Sequence, residues 1–90
     1  MAKIEDILVE ADCLINGERA DTYGTIEENW TRIGIMWGAI LGIESIEPST
    51  VGLMMASVKI SRAVSDPTHV DNYIDGCAYL AGSGELSSEL

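Results

Sequence analysis

The chain has 90 residues, with 15 acidic and 5 basic side chains and a formal net charge of −10. This length allows one domain, and the acidic excess argues against binding to nucleic acid or to an anionic membrane surface, since both need Lys and Arg. Hydrophobic residues make up 47% of the chain, which excludes a disordered acidic protein. Neither a membrane-spanning run nor a signal-peptide pattern occurs, and Cys13 and Cys77 make no disulfide framework. We therefore expect a cytoplasmic protein.

The apolar spacing predicts helices throughout and no strand. The first helix is expected over residues 4–16, where apolar positions recur every three or four residues before a stop at Asn16-Gly17. The second is expected to start at Thr25, which forms a capping box with Glu28, and to end at Gly42.

The third helix begins at Pro48, which suits a first turn, and runs to about Val64. It is apolar on most of its circumference, which is typical of a central helix. Asp66 and Pro67 predict the cap and first residue of a fourth helix that ends near Ala81. The expected organisation is one helical domain over residues 1–82 and a loose or weakly helical tail over 83–90.

The predicted fold is all-α, a small antiparallel bundle of three to four helices. A core made from 90 residues is marginal unless it is supplemented. The second and third helices carry more apolar surface than one chain can cover, so we expect a homo-oligomer, either a dimer or a higher assembly.

Two pairs of acids are candidate cation ligands. Asp71 and Asp75 lie four residues apart on one face of the fourth helix, and Glu27 and Glu28 begin the second helix. A solvated acidic face explains the first pair, and the capping box and helix dipole explain the second. Alternatively, one of Glu27 and Glu28 faces Asp71 and Asp75 across the bundle, where carboxylates from facing helices hold hard cations such as Mg²⁺.

Basic and aromatic residues are candidates for phosphate and base contacts. Lys59 and Arg62 are neighbours on the apolar third helix, where they either pair with acids at the core edge or bind a phosphate. Arg19 is a candidate third cation for that phosphate. Tyr23 and Trp30 are candidates for stacking on a base, although tryptophans in an apolar stripe are more often core residues.

Three motifs follow one another along the chain: Arg19…Tyr23-Gly24…Glu28-Asn29-Trp30, then Pro48…Val51-Gly52-Leu53-Met54-Met55…Lys59-Ile60-x-Arg62, and then Asp71-Asn72-Tyr73-x-Asp75-Gly76-x-x-Tyr79. This order resembles a family of short phage-borne helical proteins, often labelled MazG-like. The resemblance covers about residues 15–82. More distantly, the chain is similar to the all-α nucleotide pyrophosphohydrolases, the MazG and dimeric dUTPase group.

The distant resemblance implies a Mg²⁺ site in which water splits a nucleoside triphosphate into a monophosphate and pyrophosphate. Glu27 and Glu28 match the first two acids of the group's Glu-Glu-x-x-Glu motif, with Thr31 in place of the third. Asp75 matches the last acid of Glu-x-x-Asp, with Asn72 in place of the Glu and Asp71 as its substitute. The implied metal ligands are Glu27, Glu28, Asp71 and Asp75, with Glu28 and Asp75 catalytic.

Three functions stay open at this point. The first is a Mg²⁺-dependent nucleotide pyrophosphohydrolase. The second is a non-catalytic protein that sequesters a nucleotide or cyclic nucleotide used in host-defence signalling, which the reduced number of acids favours. The third is an acidic interaction module whose charge attracts a basic partner.

Overall fold

Four α-helices make up the computed structural model, which describes residues 1–17 and 22–88. They are α1 (Ile4–Asn16), α2 (Ile26–Leu41), α3 (Pro48–Ser65) and α4 (Val70–Ser87). No strand occurs in these two ranges, and the all-α prediction is confirmed. None of the helices in the described part of the chain is long and apolar enough to cross a membrane.

Local capping interactions set both ends of α2, as the sequence predicts. The Thr25 hydroxyl accepts a hydrogen bond from the Glu28 backbone N–H at 3.2 Å, and the Glu28 carboxylate accepts one from the Thr25 backbone N–H at 3.5 Å. At the other end, Gly42 has a φ of 74°, a left-handed conformation that favours glycine at a helix terminus.

The turn between α3 and α4 differs from the prediction that Asp66 and Pro67 begin the fourth helix. Asp66 instead closes α3, because its backbone N–H donates to the Arg62 carbonyl at 2.9 Å. The chain then turns through residues 66–69, where the His69 N–H donates to the Asp66 carbonyl at 3.2 Å. These residues reverse the chain, and α4 begins at Val70.

The last helix also extends further than predicted, since α4 continues to Ser87 instead of ending near Ala81. Ser83 is 4% exposed, and its hydroxyl donates to the Ser49 carbonyl on α3 at 2.8 Å. Contacts with α3 therefore keep a Gly- and Ser-rich segment helical. The predicted helix end near Ala81 is therefore wrong, and of the two options for the tail the helical one holds as far as Ser87.

An antiparallel hairpin of α3 and α4 forms the centre of the structure, with α1 packed on α4 and α2 packed on α3. The Trp30 side chain of α2 is 5% exposed and lies against two glycines of the hairpin, Gly52 and Gly82. A Cβ at either glycine would overlap the six-membered ring of Trp30. The two glycines thus form a notch that admits a large aromatic side chain between the helices.

The connector after α2 folds back along that helix over two further glycines. The Ile43 N–H donates to the Gly38 carbonyl at 2.9 Å, and the Ile46 N–H donates to the Gly34 carbonyl at 3.0 Å. A Cβ at Gly34 would overlap the Ile46 carbonyl oxygen. This close backbone approach positions Pro48 and the start of α3 beside α2.

Candidate functional site

An open cleft of about 320 Å³ lies where the N-terminal end of α2 meets α1 and α4. Its lining is mainly aromatic and apolar with a few polar groups, which is typical of a small-molecule site. We call it the aromatic cleft; its lining includes Ile15, Tyr23, Thr25, Asn29, Trp30 and Tyr79.

The aromatic side chains of the cleft differ in how far they are exposed to solvent. The ring centroids of Trp30 and Tyr79 are 6.0 Å apart with the planes tilted by 41°, within the range in which aromatic pairs attract each other. Trp30 is buried by the hairpin, whereas Tyr23 is 59% exposed. Trp30 is therefore a fixed wall of the cleft, and Tyr23 is the aromatic side chain that is most accessible to a ligand.

The rim of the cleft at the start of α2 contains a predicted acidic residue. Gly24 and Thr25 line the cleft, and the Glu28 carboxylate lies beside Gly24 and accepts a hydrogen bond from the Thr25 hydroxyl at 3.0 Å. The prediction that Glu28 completes a capping box is confirmed. Glu28 consequently places a carboxylate at the rim while also stabilising the helix terminus.

A second predicted acid lies one helical turn from the cleft, in an ion pair. The Asp75 carboxylate is 2.9 Å from the Lys59 Nζ, and the two side chains are 27% and 16% exposed. Asp75 precedes Tyr79 by four residues on α4, a rise of roughly 6 Å. The option that Lys59 pairs with an acid at the core edge is confirmed, and the pair links α3 to α4 beside the cleft.

We expect Asp75→Asn to reduce the free energy of unfolding by about 1 kcal/mol, because the partly buried Lys59 ammonium loses its partner. Urea denaturation of Asp75→Asn, Lys59→Met and the double variant gives the coupling energy between the two side chains. We expect a favourable coupling of order 1 kcal/mol. Losses in the two single variants that simply add in the double variant would show that the pair contributes nothing.

The other predicted acids are separate from this pair. Asp71 lies at the exposed start of α4, with its carboxylate 3.8 Å from the His69 Nε2. Glu27 is exposed in the first turn of α2. In residues 1–17 and 22–88, no three Asp, Glu, His or Cys side chains form a group able to hold a metal ion.

Glu27, Glu28, Asp71 and Asp75 therefore do not form one group in the described part of a single chain. The reasons are local: Asp75 pairs with Lys59, Glu28 caps α2, and Glu27 and Asp71 lie on exposed first turns. Of the predicted cations, Arg62 is exposed on α3, and Arg19 lies outside the described residues. A magnesium ion and a phosphate contact at these positions stay predictions.

Comparison with known proteins places the chain in a family. The family model described as "Domain of unknown function (DUF6378)" matches residues 6–87. The chain belongs to this family. This DUF6378 chain is 38% identical over 73 residues to the Gene 55 protein of Mycobacterium phage L5, which covers 81% of the chain and 47% of that protein. It is 36% identical over 75 residues to the Gene 55 protein of Mycobacterium phage D29, which covers 83% of the chain and 49% of that protein.

These relatives confirm that the DUF6378 chain is related to phage proteins. The chain spans about half the length of the curated relatives it matches. No solved structure is significantly similar to it.

Asn29 and Tyr79 line the cleft and occur in the motifs that carry the resemblance, but the sequence analysis did not select them as site residues. Asn29 follows Thr25 by four residues, so both side chains lie on the face of α2 that borders the cleft. Tyr79 follows Asp75 by four residues on α4 in the same way. The four-residue spacing from Thr25 and Asp75 was the signal that could have identified Asn29 and Tyr79. The part of the lining that comes from α1 depends on tertiary packing and has no such signal.

Proposed function

We propose that this protein binds a nucleotide and holds its base in the aromatic cleft. The observation that supports the proposal is the convergence of Tyr23, Trp30 and Tyr79 on one open cleft of about 320 Å³. Aromatic side chains stack on the faces of bases, and such contacts contribute about 1–3 kcal/mol each. Asn29 and Thr25 supply the polar groups that a base edge needs for orientation.

The phosphates are proposed to lie toward Lys59. Its ion pair with Asp75 lies one turn of α4 away from Tyr79, so a phosphate that leaves the base pocket in this direction meets an ammonium group. The net charge of −10 opposes an anionic ligand at long range, but physiological salt screens exposed charges beyond about 8 Å. Aromatic contacts are therefore expected to contribute more to the affinity than charge.

Binding without turnover is the form of this function that we favour. The Asp75 carboxylate forms an ion pair with Lys59, and the Glu28 carboxylate takes part in the cap of α2, so both predicted catalytic acids already have structural partners. Because two relatives come from phages, we extend the proposal to sequestration of a nucleotide, linear or cyclic, that carries a host-defence signal.

A MazG-like nucleoside triphosphate pyrophosphohydrolase is the second candidate. It is favoured by the position of two carboxylates near the cleft, Glu28 at the rim and Asp75 one turn from Tyr79. The Mg²⁺ ion that this activity implies does not fit the described residues of one chain, where no three candidate ligands form a group. We therefore derive no reaction step through a metal.

Incubation with nucleoside triphosphates and cyclic nucleotides, with and without Mg²⁺, distinguishes these functions. Intact nucleotide that stays with the protein and is released on denaturation would support binding. Pyrophosphate formation that needs Mg²⁺ and is abolished in Asp75→Asn would support the hydrolase instead. Neither retention nor hydrolysis of any nucleotide would contradict both and leave an acidic interaction module.

We expect Tyr23→Ala to weaken nucleotide binding about tenfold, since it removes the accessible aromatic surface of the cleft. Tyr23 is 59% exposed, so its truncation is not expected to change the fold. Leu41→Ala is the control, because Leu41 is 62% exposed at the far end of α2 and does not line the cleft. Calorimetry on both variants tests the assignment, and equal losses of affinity would contradict it.

A further inference from the structure

The α3–α4 hairpin has an apolar face that no other described element covers. Leu53, Ile60 and Leu80 on this face are 53%, 58% and 49% exposed. We call it the hairpin face; it comprises Leu53, Ser57 and Ile60 on α3 and Tyr73, Cys77 and Leu80 on α4.

Helix geometry puts the hairpin face on the opposite side of the hairpin from α2. On α3, Val51 packs beside Gly34 of α2, and Leu53 lies two residues later, about 200° around the helix. On α4, Gly82 contacts Trp30, and Leu80 lies two residues earlier. The Lys59–Asp75 ion pair fixes the register of the two helices, so that the α3 residues and the α4 residues of the hairpin face lie side by side.

The hairpin face also lacks charge in a chain that is strongly acidic. The ionic residues of α3 and α4 all lie elsewhere on the two helices, and Lys59 and Asp75 pair with each other away from this face. The small side chains of Ser57 and Cys77 occupy its middle. Contact between two identical faces therefore brings no like charges together, and only the long-range repulsion between two chains of net charge −10 opposes it.

The surface area of the chain points to the same conclusion. Its accessible surface is 6386 Å², whereas a compact monomer of 9.7 kDa is expected to expose about 5,100 Å². The excess of about 1,300 Å² exceeds the roughly 800 Å² that each partner buries in a standard interface. The chain thus exposes enough surface for a stable interface between two copies.

We propose that the hairpin face binds the hairpin face of a second copy, so that two α3–α4 hairpins form a four-helix interface. A two-fold interface uses the same patch on both subunits, which an uncharged, self-complementary face satisfies. Trp30 and the aromatic cleft stay on the outer side of each hairpin. This inference is independent of the proposed function.

Ile60→Glu is expected to raise the dimer dissociation constant more than about a hundredfold, because two carboxylates would be buried across the two-fold axis. Ile35→Glu is the matched control, since Ile35 is 55% exposed on α2, against 58% for Ile60. Sedimentation over a range of concentrations measures the effect. A monomeric wild-type protein, or equal dissociation by the two variants, would overturn the proposal.

The two cysteines of the described chain report on the interface without any substitution. Cys77 is half-buried on the hairpin face, and Cys13 is exposed on α1. In the wild-type protein, alkylation of Cys77 relative to Cys13 should slow as the concentration rises into the dimer range. This measurement decides the matter if Ile60→Glu loses its helical circular dichroism, and a Cys77 rate that is independent of concentration contradicts the proposal.

Discussion

Replacing Trp30 by alanine is expected to lower the free energy of unfolding by about 3–5 kcal/mol. Trp30 is 5% exposed and is the one large aromatic side chain buried in the described core, which otherwise consists of Ala11, Val51, Ala56 and Ala78. Its removal leaves a cavity that the Gly52 and Gly82 backbones cannot fill. For a chain of this length the loss is a large fraction of the total stability, and urea denaturation measures it.

Trp37→Ala is the control for this prediction. Trp37 is on the same helix but is only half-buried, so its truncation removes less buried surface and is expected to cost less. Both variants are compared with the wild type at one protein concentration, because the stability of an oligomer depends on concentration. If Trp30→Ala lowered the free energy of unfolding no more than Trp37→Ala does, the central role of Trp30 in the core would be contradicted.

Replacing Gly34 by alanine is expected to lower the free energy of unfolding by about 2 kcal/mol. The added Cβ would overlap the Ile46 carbonyl oxygen, and the connector cannot retreat without stretching the 3.0 Å bond from the Ile46 N–H to the Gly34 carbonyl. This cost exceeds the roughly 1 kcal/mol by which alanine is favoured over glycine inside a helix. Thermal or urea unfolding shows whether Gly34→Ala lowers or raises the free energy of unfolding.

Replacing Gly84 on α4 by alanine is expected to have the opposite effect on stability from Gly34→Ala. A Cβ at Gly84 meets no atom within 4 Å, so the helix propensity of alanine acts alone and is expected to raise the free energy of unfolding by about 0.5–1 kcal/mol. If Gly34→Ala raised the free energy of unfolding as Gly84→Ala is expected to, the close approach of the connector to Gly34 would not constrain the fold.

The aromatic cleft could be predicted only in part. Tyr23 and Trp30 were candidates from the sequence, and both line it. Asn29 and Tyr79 were not selected as site residues, and the contribution of Ile15 from α1 was missed, because nothing local indicates which face of α1 meets α2 and α4. The four predicted acids do not come together in the described part of one chain for a related reason, since Asp75 has a nearer partner in Lys59.

The sequence by itself determined the helical fold class and most helix termini, since these depend on residues three or four positions apart. The Thr25–Glu28 capping box, Gly42 and Pro48 all act over that distance. The acidic composition separately predicts a protein that does not bind the phosphate backbone of nucleic acids. Tertiary structure decided what depends on residues far apart: the glycine notch around Trp30, the continuation of α4 past Ala81 through the Ser83–Ser49 bond, and the hairpin face. Those contacts join residues that are far apart in the sequence and meet only through tertiary packing, so no local sequence pattern predicts them.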